Sequence, residues 1–269
     1  MIKKQIMLGG LCLVLFAIMA VGSGSSSGKK ETVKIEGESA AEKASEVDEG
    51  KEEKTETSSK EEDEIQYEIT DTNFNYYTNS IGKVEYYGYV EITNKGDCNL
   101  YLANAVFDLE DNDGHLLQSD DYVSNAPSVI KPGEKGYFYN GIGSSLIDDG
   151  VSTDNGINLV PQITIKKATG EPTRYEVTDL DMREDNYGNP KVTGRIVNNT
   201  DEDESYLYIN VIFYDSNHKV LAITGTSVTD LSAGGKTSFE CSSMFADDTV
   251  TIDKIADYEV IAEESYMQF

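Results

Sequence analysis

The chain has 269 residues, 49 of them acidic and 22 basic, which gives a net charge of −27 with the histidines neutral. A surface this negative repels nucleic acid, anionic lipid and wall polyanions, and leaves cationic partners or metal ions as the electrostatically permitted choices. With only two histidines, there is little material for a nucleophile, a base and an orienting group to meet in one pocket. An enzyme is therefore not expected, and no catalytic or cofactor-binding residue is assigned.

Lys3 and Lys4 precede an uncharged run, Ile6 to Val21, which ends in the small residues Gly22 to Gly28. A basic start, an apolar stretch and small residues form an export signal. Residues 1–28 are thus a signal peptide or a membrane anchor. Ala20-x-Gly22 offers a cleavage site, while the apolar run lies between a typical signal core and the roughly 17 to 25 residues that span a bilayer, so both fates stay open. The cysteine that lipoproteins acylate is missing, since Cys12 follows Leu11 and lies inside the apolar run.

Residues 29–64 are a different material. Fourteen acids against seven lysines, no aromatic residue, and only Val33, Ile35 and Val47 as branched apolar side chains cannot build a core. This stretch reads as a disordered acidic linker that holds the folded part of the chain away from the membrane.

From residue 65 onward one unit occurs twice. Tyr67-Glu68-Ile69-Thr70-Asp71 returns as Tyr175-Glu176-Val177-Thr178-Asp179. Asn94 then matches Asn198, Asp111 matches Asp215, Gly133 matches Gly234, and Phe138 matches Phe239. The units span residues 65–169 and 170–269, each the size of a self-contained domain. Ala168 to Pro172 joins them as a short, proline-stiffened connection, from which limited relative motion is expected.

Within the first unit Val84, Tyr86, Gly88, Val90 and Ile92 alternate with Glu85, Tyr87, Tyr89 and Glu91, the period of an antiparallel strand with one wetter face. Val192 to Asn198 repeats the pattern. Leu102 to Leu109 and Tyr206 to Phe213 lead through polar turns at Asp111 and Asp215 into Leu116-Leu117 and Val220-Leu221, each a hairpin. Gln162 to Ile165 and Tyr258 to Ile261 supply closing strands. Short strands, turns between them and almost no helical periodicity predict all-β architecture, with about seven strands per unit in two tandem antiparallel sandwiches.

Phe107-x-Leu109-Glu110-Asp111 and Val211-x-Phe213-Tyr214-Asp215, with the Val-x-Gly-x-Ile-x-Asn strand at 192–198, resemble the FxLYD-type immunoglobulin-like domains of exported bacterial proteins. Glu110 stands in place of the motif tyrosine in the first copy, and Val211 and Phe213 in place of its phenylalanine and leucine in the second. The resemblance implies an immunoglobulin-like sandwich outside the cytoplasm and brings no catalytic residue.

The remaining chemistry is sparse. His115 and His218 fall at the tip of the same hairpin in each unit and read as solvated turn residues. Cys241 shares a strand face with Phe239 and reads as a buried thiol, while Cys98 lies in a turn and does not align with it. Asp111, Asp113 and Gly114 resemble an acidic calcium loop, yet Leu109 and Asp120 stand where an EF-hand needs a ligand and a glutamate. A second acidic set, Asp148, Asp149 and Asp154 with Asp247, Asp248 and Asp253, is kept through the duplication. No metal ligand is assigned. The tyrosines Tyr76, Tyr77, Tyr86, Tyr87, Tyr89, Tyr137 and Tyr139 serve either as a recognition face or as strand and core packing. The expected function is a non-catalytic, envelope-associated binding or spacer protein, with an unknown extracytoplasmic partner. A calcium-binding extracellular module is the alternative.

Overall fold

A computed structural model describes residues 29–32, 65–78, 82–147, 151–242 and 250–267. The apolar segment 6–21, nearly all of the acidic linker, and Asp148, Asp149, Asp247 and Asp248 lie outside the described residues. Among those described, no helix is long and apolar enough to cross a membrane.

The first unit is two antiparallel sheets face to face. One contains β2 (Tyr67–Thr78), β3 (Val84–Asn94) and β8 (Lys135–Leu146), with β6 (Ser124–Ala126) on the far edge of β8. The other contains β5 (Leu116–Asp120), β4 (Leu100–Glu110) and β9 (Asn158–Lys167), with β7 (Val129–Ile130) also on β4. Val90, Ile92, Leu102, Phe107, Leu109, Phe138 and Ile163 fill the space between the sheets. The free edge of β9 is taken by β1 (Lys29–Thr32), where the sequence predicted disordered linker. An edge strand offers a row of unpaired amides and carbonyls, and an extended segment can pair with them through backbone alone, whatever its polarity.

The second unit repeats this skeleton. β10 (Glu176–Glu184), β11 (Pro190–Val197) and β14 (Lys236–Ser242) form one sheet, and β13 (Val220–Leu231), β12 (Glu204–Tyr214) and β15 (Asp257–Glu264) the other. Its separate core holds Val192, Ile196, Leu207, Ile209, Val211, Phe213 and Phe239. Each strand order matches its counterpart in the first unit, so the molecule is two tandem antiparallel β-sandwiches. Against the expectation of about seven strands per unit, this copy has six among the described residues and the first has eight besides β1. β13 runs unbroken where the first copy divides the same stretch into β5, β6 and β7. There the chain leaves β4, crosses to pair with β8 in the opposite sheet, and returns to β4.

The matched residues hold matching joints. Asn94 and Asn198 are buried, and each amide clamps a turn from within. Asn94 Nδ2 donates to the carbonyls of Cys98 and Ile130, and its Oδ1 accepts from Gly96 N–H. Asn198 Nδ2 donates to the carbonyls of Glu202 and Leu231, and its Oδ1 accepts from Thr200 N–H. At the hairpin tips Asp111 accepts from the amides of Asp113 and His115, and Asp215 from those of Asn217 and Lys219. These turns need a left-handed residue, which is Gly114 at φ +80° in one copy and His218 at φ +60° in the other.

The face of β3 predicted to be wet is buried, with Tyr87, Tyr89 and Glu91 each at or below 4% exposure. The second sandwich covers much of it. Tyr89, Tyr137, Tyr139 and Ala126 from the first unit pack against Ile212, Tyr214, Val220 and Ile223 from the second. The tyrosine hydroxyls entering this interface find partners, as buried phenols must. Tyr89 Oη donates to Asp71, 2.7 Å away, and reaches the Val220 carbonyl at 3.2 Å, and Tyr139 Oη donates to Asn210 Oδ1. Buried Glu91 accepts from Thr70 Oγ1 and Tyr137 Oη and pairs with Lys135 at 2.8 Å.

A second set of contacts fixes the connection between the units. Arg174 donates to the Val129 carbonyl at 2.7 Å and pairs with Glu134 at 3.1 Å. Glu171 accepts from Asn99 and pairs with Lys131, and Gly170 N–H donates to Tyr266 Oη. Tyr266 in turn packs edge-on against Tyr101, with ring centroids 5.1 Å apart. The tyrosine interface and these contacts join the two sandwiches at two places.

Candidate functional site

Where the sandwiches meet, a groove of about 1300 Å³ opens along the junction. Both units build it. One wall is the β5–β6 excursion of the first unit, the segment that β13 replaces by a straight strand in the second. Asp120, nearly buried at the end of β5, accepts from Tyr86 Oη at 2.7 Å and from Tyr122 N–H at 2.9 Å, turning the chain toward β8. Asn125 ties that crossing back to the Leu102 carbonyl. The turn leaves Tyr122 at the rim, 89% exposed.

The other wall is the outer face of β12. Alternation sends Leu207, Ile209, Val211 and Phe213 into the core, and the even positions outward. Asn210, Ile212 and Tyr214 lie buried at or against the first sandwich, while Tyr206 and Tyr208 emerge into the groove as an edge-to-face pair with centroids 5.0 Å apart. The strand β13 contributes Thr224 to Ser227 and, among the described residues, is paired on one side, with β12.

Below lie Glu263 and Ser128. Glu263 Oε1 accepts from Ser128 N–H at 2.7 Å, but its Oε2 and the Ser128 hydroxyl are buried without a hydrogen-bond partner. The nearest cationic group to Oε2 is Arg174 Nε, at 4.0 Å. Burial dominates and pushes this carboxyl above the ordinary carboxylate range, against the pull of Ser128 and Arg174. Four carboxylates, on Asp120, Asp121, Glu263 and Glu264, line the groove, and no Lys, Arg, His or Cys does so among the described residues.

The residues singled out from sequence sit elsewhere. His115 Nδ1 lies 3.0 Å from Asp111 at an exposed hairpin tip, and the carboxylate beside it raises its pKa. His218 stacks on Tyr214, with ring centroids 4.3 Å apart. Neither meets a nucleophile. Asp111, Asp113 and His115 do converge, with one ligand atom of each within 4.8 Å of the others. The Asp111 carboxylate is already occupied: the His115 amide leads the hydrogen bonds that lower its pKa to about 2, joined by the His115 ring, Asn155 and Asp113. The loop is a hydrogen-bonded turn. Cys98 and Cys241 are both buried, and burial raises the Cys241 thiol to about 11. The tyrosines considered as a recognition face in the first unit are largely consumed inside the molecule, and the rings left open at the junction are Tyr122, Tyr206 and Tyr208.

No family model matches the chain, and no curated protein does. Among solved structures, one it is aligned with is the N-terminal CBM22-1–CBM22-2 tandem domain from Paenibacillus barcinonensis Xyn10C. That alignment has 10% identity, covers 75% of this chain and 86% of the other, and has a TM-score of 0.12, a value that carries no argument about function.

Proposed function

We propose that the chain is a non-catalytic, exported, envelope-associated binding protein, a fixed pair of FxLYD-type immunoglobulin-like sandwiches held out from the membrane by the acidic linker. The observation that carries the reading is the join: the domains bury their tyrosine faces against each other and leave one open groove that both of them build. A rigid two-domain frame presents a composite surface with little ordering cost on association. Among the described residues the groove is lined by aromatic rings, hydroxyls and carboxylates and by no His, Cys, Lys or Arg, so it holds no histidine or thiol for nucleophilic chemistry, which favours binding over turnover. The basic and apolar start of the chain supports export.

The test is a photo-crosslinking amino acid placed at Tyr208 in the producing cell. The proposal expects protection of the protein from cytoplasmic labelling reagents and a discrete adduct with an extracytoplasmic component. Adducts confined to cytoplasmic proteins would overturn the location. Correct export with no adduct would reduce the function to that of a spacer.

A further inference from the structure

We propose that the junction groove binds an extended peptide segment bearing lysine or arginine side chains, from another exported protein. This deepens the proposed binding function and rests on it. Three independent features converge on that chemistry. The described lining carries the four carboxylates Asp120, Asp121, Glu263 and Glu264 with no basic side chain among them. A concave site lined by one sign of charge over a low-dielectric floor focuses its field on the opposite sign. Glu263 Oε2 and Ser128 Oγ lie at that floor without hydrogen-bond partners, and Arg174 Nε, 4.0 Å from Oε2, offsets that carboxylate only in part, so a cation held above still gains from it and from the exposed Asp121.

The aromatic rings supply the second feature. Tyr208, 47% exposed, and Tyr206, 38% exposed, form a paired platform, and Tyr122 stands at the opposite rim. Ring faces attract ammonium and guanidinium groups and pack their aliphatic stems. The third feature selects a peptide over a small cation. β13 lines the groove through Thr224 to Ser227 and, among the described residues, hydrogen-bonds as a strand with β12 alone, which leaves its other side, near β14 and β8, a backbone edge that an added strand can extend. Strand addition takes affinity from the main chain and specificity from alternate side chains. In the first unit the corresponding stretch is broken and drawn across to β8, so the duplication yields one such edge at the junction.

The probe is an alternating Lys–Thr peptide of about twelve residues, titrated calorimetrically into the full chain, with its Glu–Thr counterpart and spermidine in parallel. The proposal expects the Lys–Thr peptide alone to bind well, with affinity falling at least about tenfold between about 50 and 500 mM salt. Asp121→Asn combined with Tyr208→Ala should weaken it by about tenfold or more, whereas Asp181→Asn, an equal charge loss on the far sheet, should change it less than about twofold. Both variants alter exposed positions, and an unchanged melting temperature verifies their fold. Equal losses in the two variants would mean diffuse attraction and overturn the site. Spermidine binding as tightly as the peptide would overturn the peptide partner. No peptide binding together with a Tyr208 adduct in cells would refute the cationic segment and leave the binding function standing; absence of both would remove the two together.

Discussion

Tyr139 and Asn210 give a direct measure of the contact between the sandwiches, because the donor belongs to one unit and the acceptor to the other. Both are buried, at 4% and 5% exposure. Tyr139→Phe keeps the ring and removes the hydroxyl, leaving Asn210 Oδ1 without its donor in a site water does not reach freely. An orphaned buried acceptor costs about 1 to 3 kcal/mol, and the net value of such a bond is about 1 kcal/mol. Asn210→Ala removes the other partner and leaves the phenol unpaired. If the interface is formed in solution, urea denaturation of the four forms of the full chain, followed by tyrosine fluorescence, yields a coupling energy of about 1 kcal/mol. Were the domains apart, Tyr139→Phe would cost almost nothing, since the hydroxyl would bond to water in both states. Coupling below about 0.3 kcal/mol, within the scatter of independent sites, refutes the interface.

Asn94→Ala and Asn198→Ala should each destabilise by about 2 to 3 kcal/mol by urea unfolding, because each leaves a buried carbonyl and a turn amide unbonded. A large loss in one copy only would deny that the two asparagines play the same part. Glu263 is raised above its ordinary value of 4.5, chiefly by burial. Its charged form is therefore the costly one in the folded state: its effect is most favourable below about 4.5 and is lost as pH rises through the raised value. Glu263→Gln should raise the melting temperature at neutral pH and flatten its fall between acid and neutral conditions, while an unchanged slope would mean the carboxyl is solvated. Since amides and the His115 ring occupy Asp111, about 1 mM calcium should shift the melting temperature no more in the wild type than in Asp111→Ala. A rise confined to the wild type would restore the metal loop.

The skeleton was legible because the duplicated positions are joints with strict chemical demands. A buried amide that must donate twice and accept once admits few residues besides asparagine, and the hairpin acid at Asp111 and Asp215 answers a similar demand. The interface was harder to read. Tyr87, Tyr89 and Glu91 look like a solvated face because strand alternation reports polarity, and tyrosine satisfies either water or a buried acceptor. A signal was nonetheless present in the second copy, where Ile209 to Tyr214 is nearly continuous in apolar side chains, the mark of a strand covered on both faces. The groove depends on the three-way division of one strand and on the docking angle, neither of which has a local pattern. Tyr206 and Tyr208 could be placed on a strand from sequence, but which end of that strand stayed uncovered could not. The pairing of Lys29–Thr32 with β9 likewise depends on a free backbone edge and not on side-chain character.

The joined pair is tested most directly by residual dipolar couplings from backbone amides of the isotopically labelled full chain in a dilute aligning medium. Amides of β2 to β9 and of β10 to β15 should fit a single alignment tensor at the relative orientation the interface imposes. Two tensors of different magnitude, one for each sandwich, would mean that the units tumble separately and that neither the buried tyrosine interface nor the groove persists in solution.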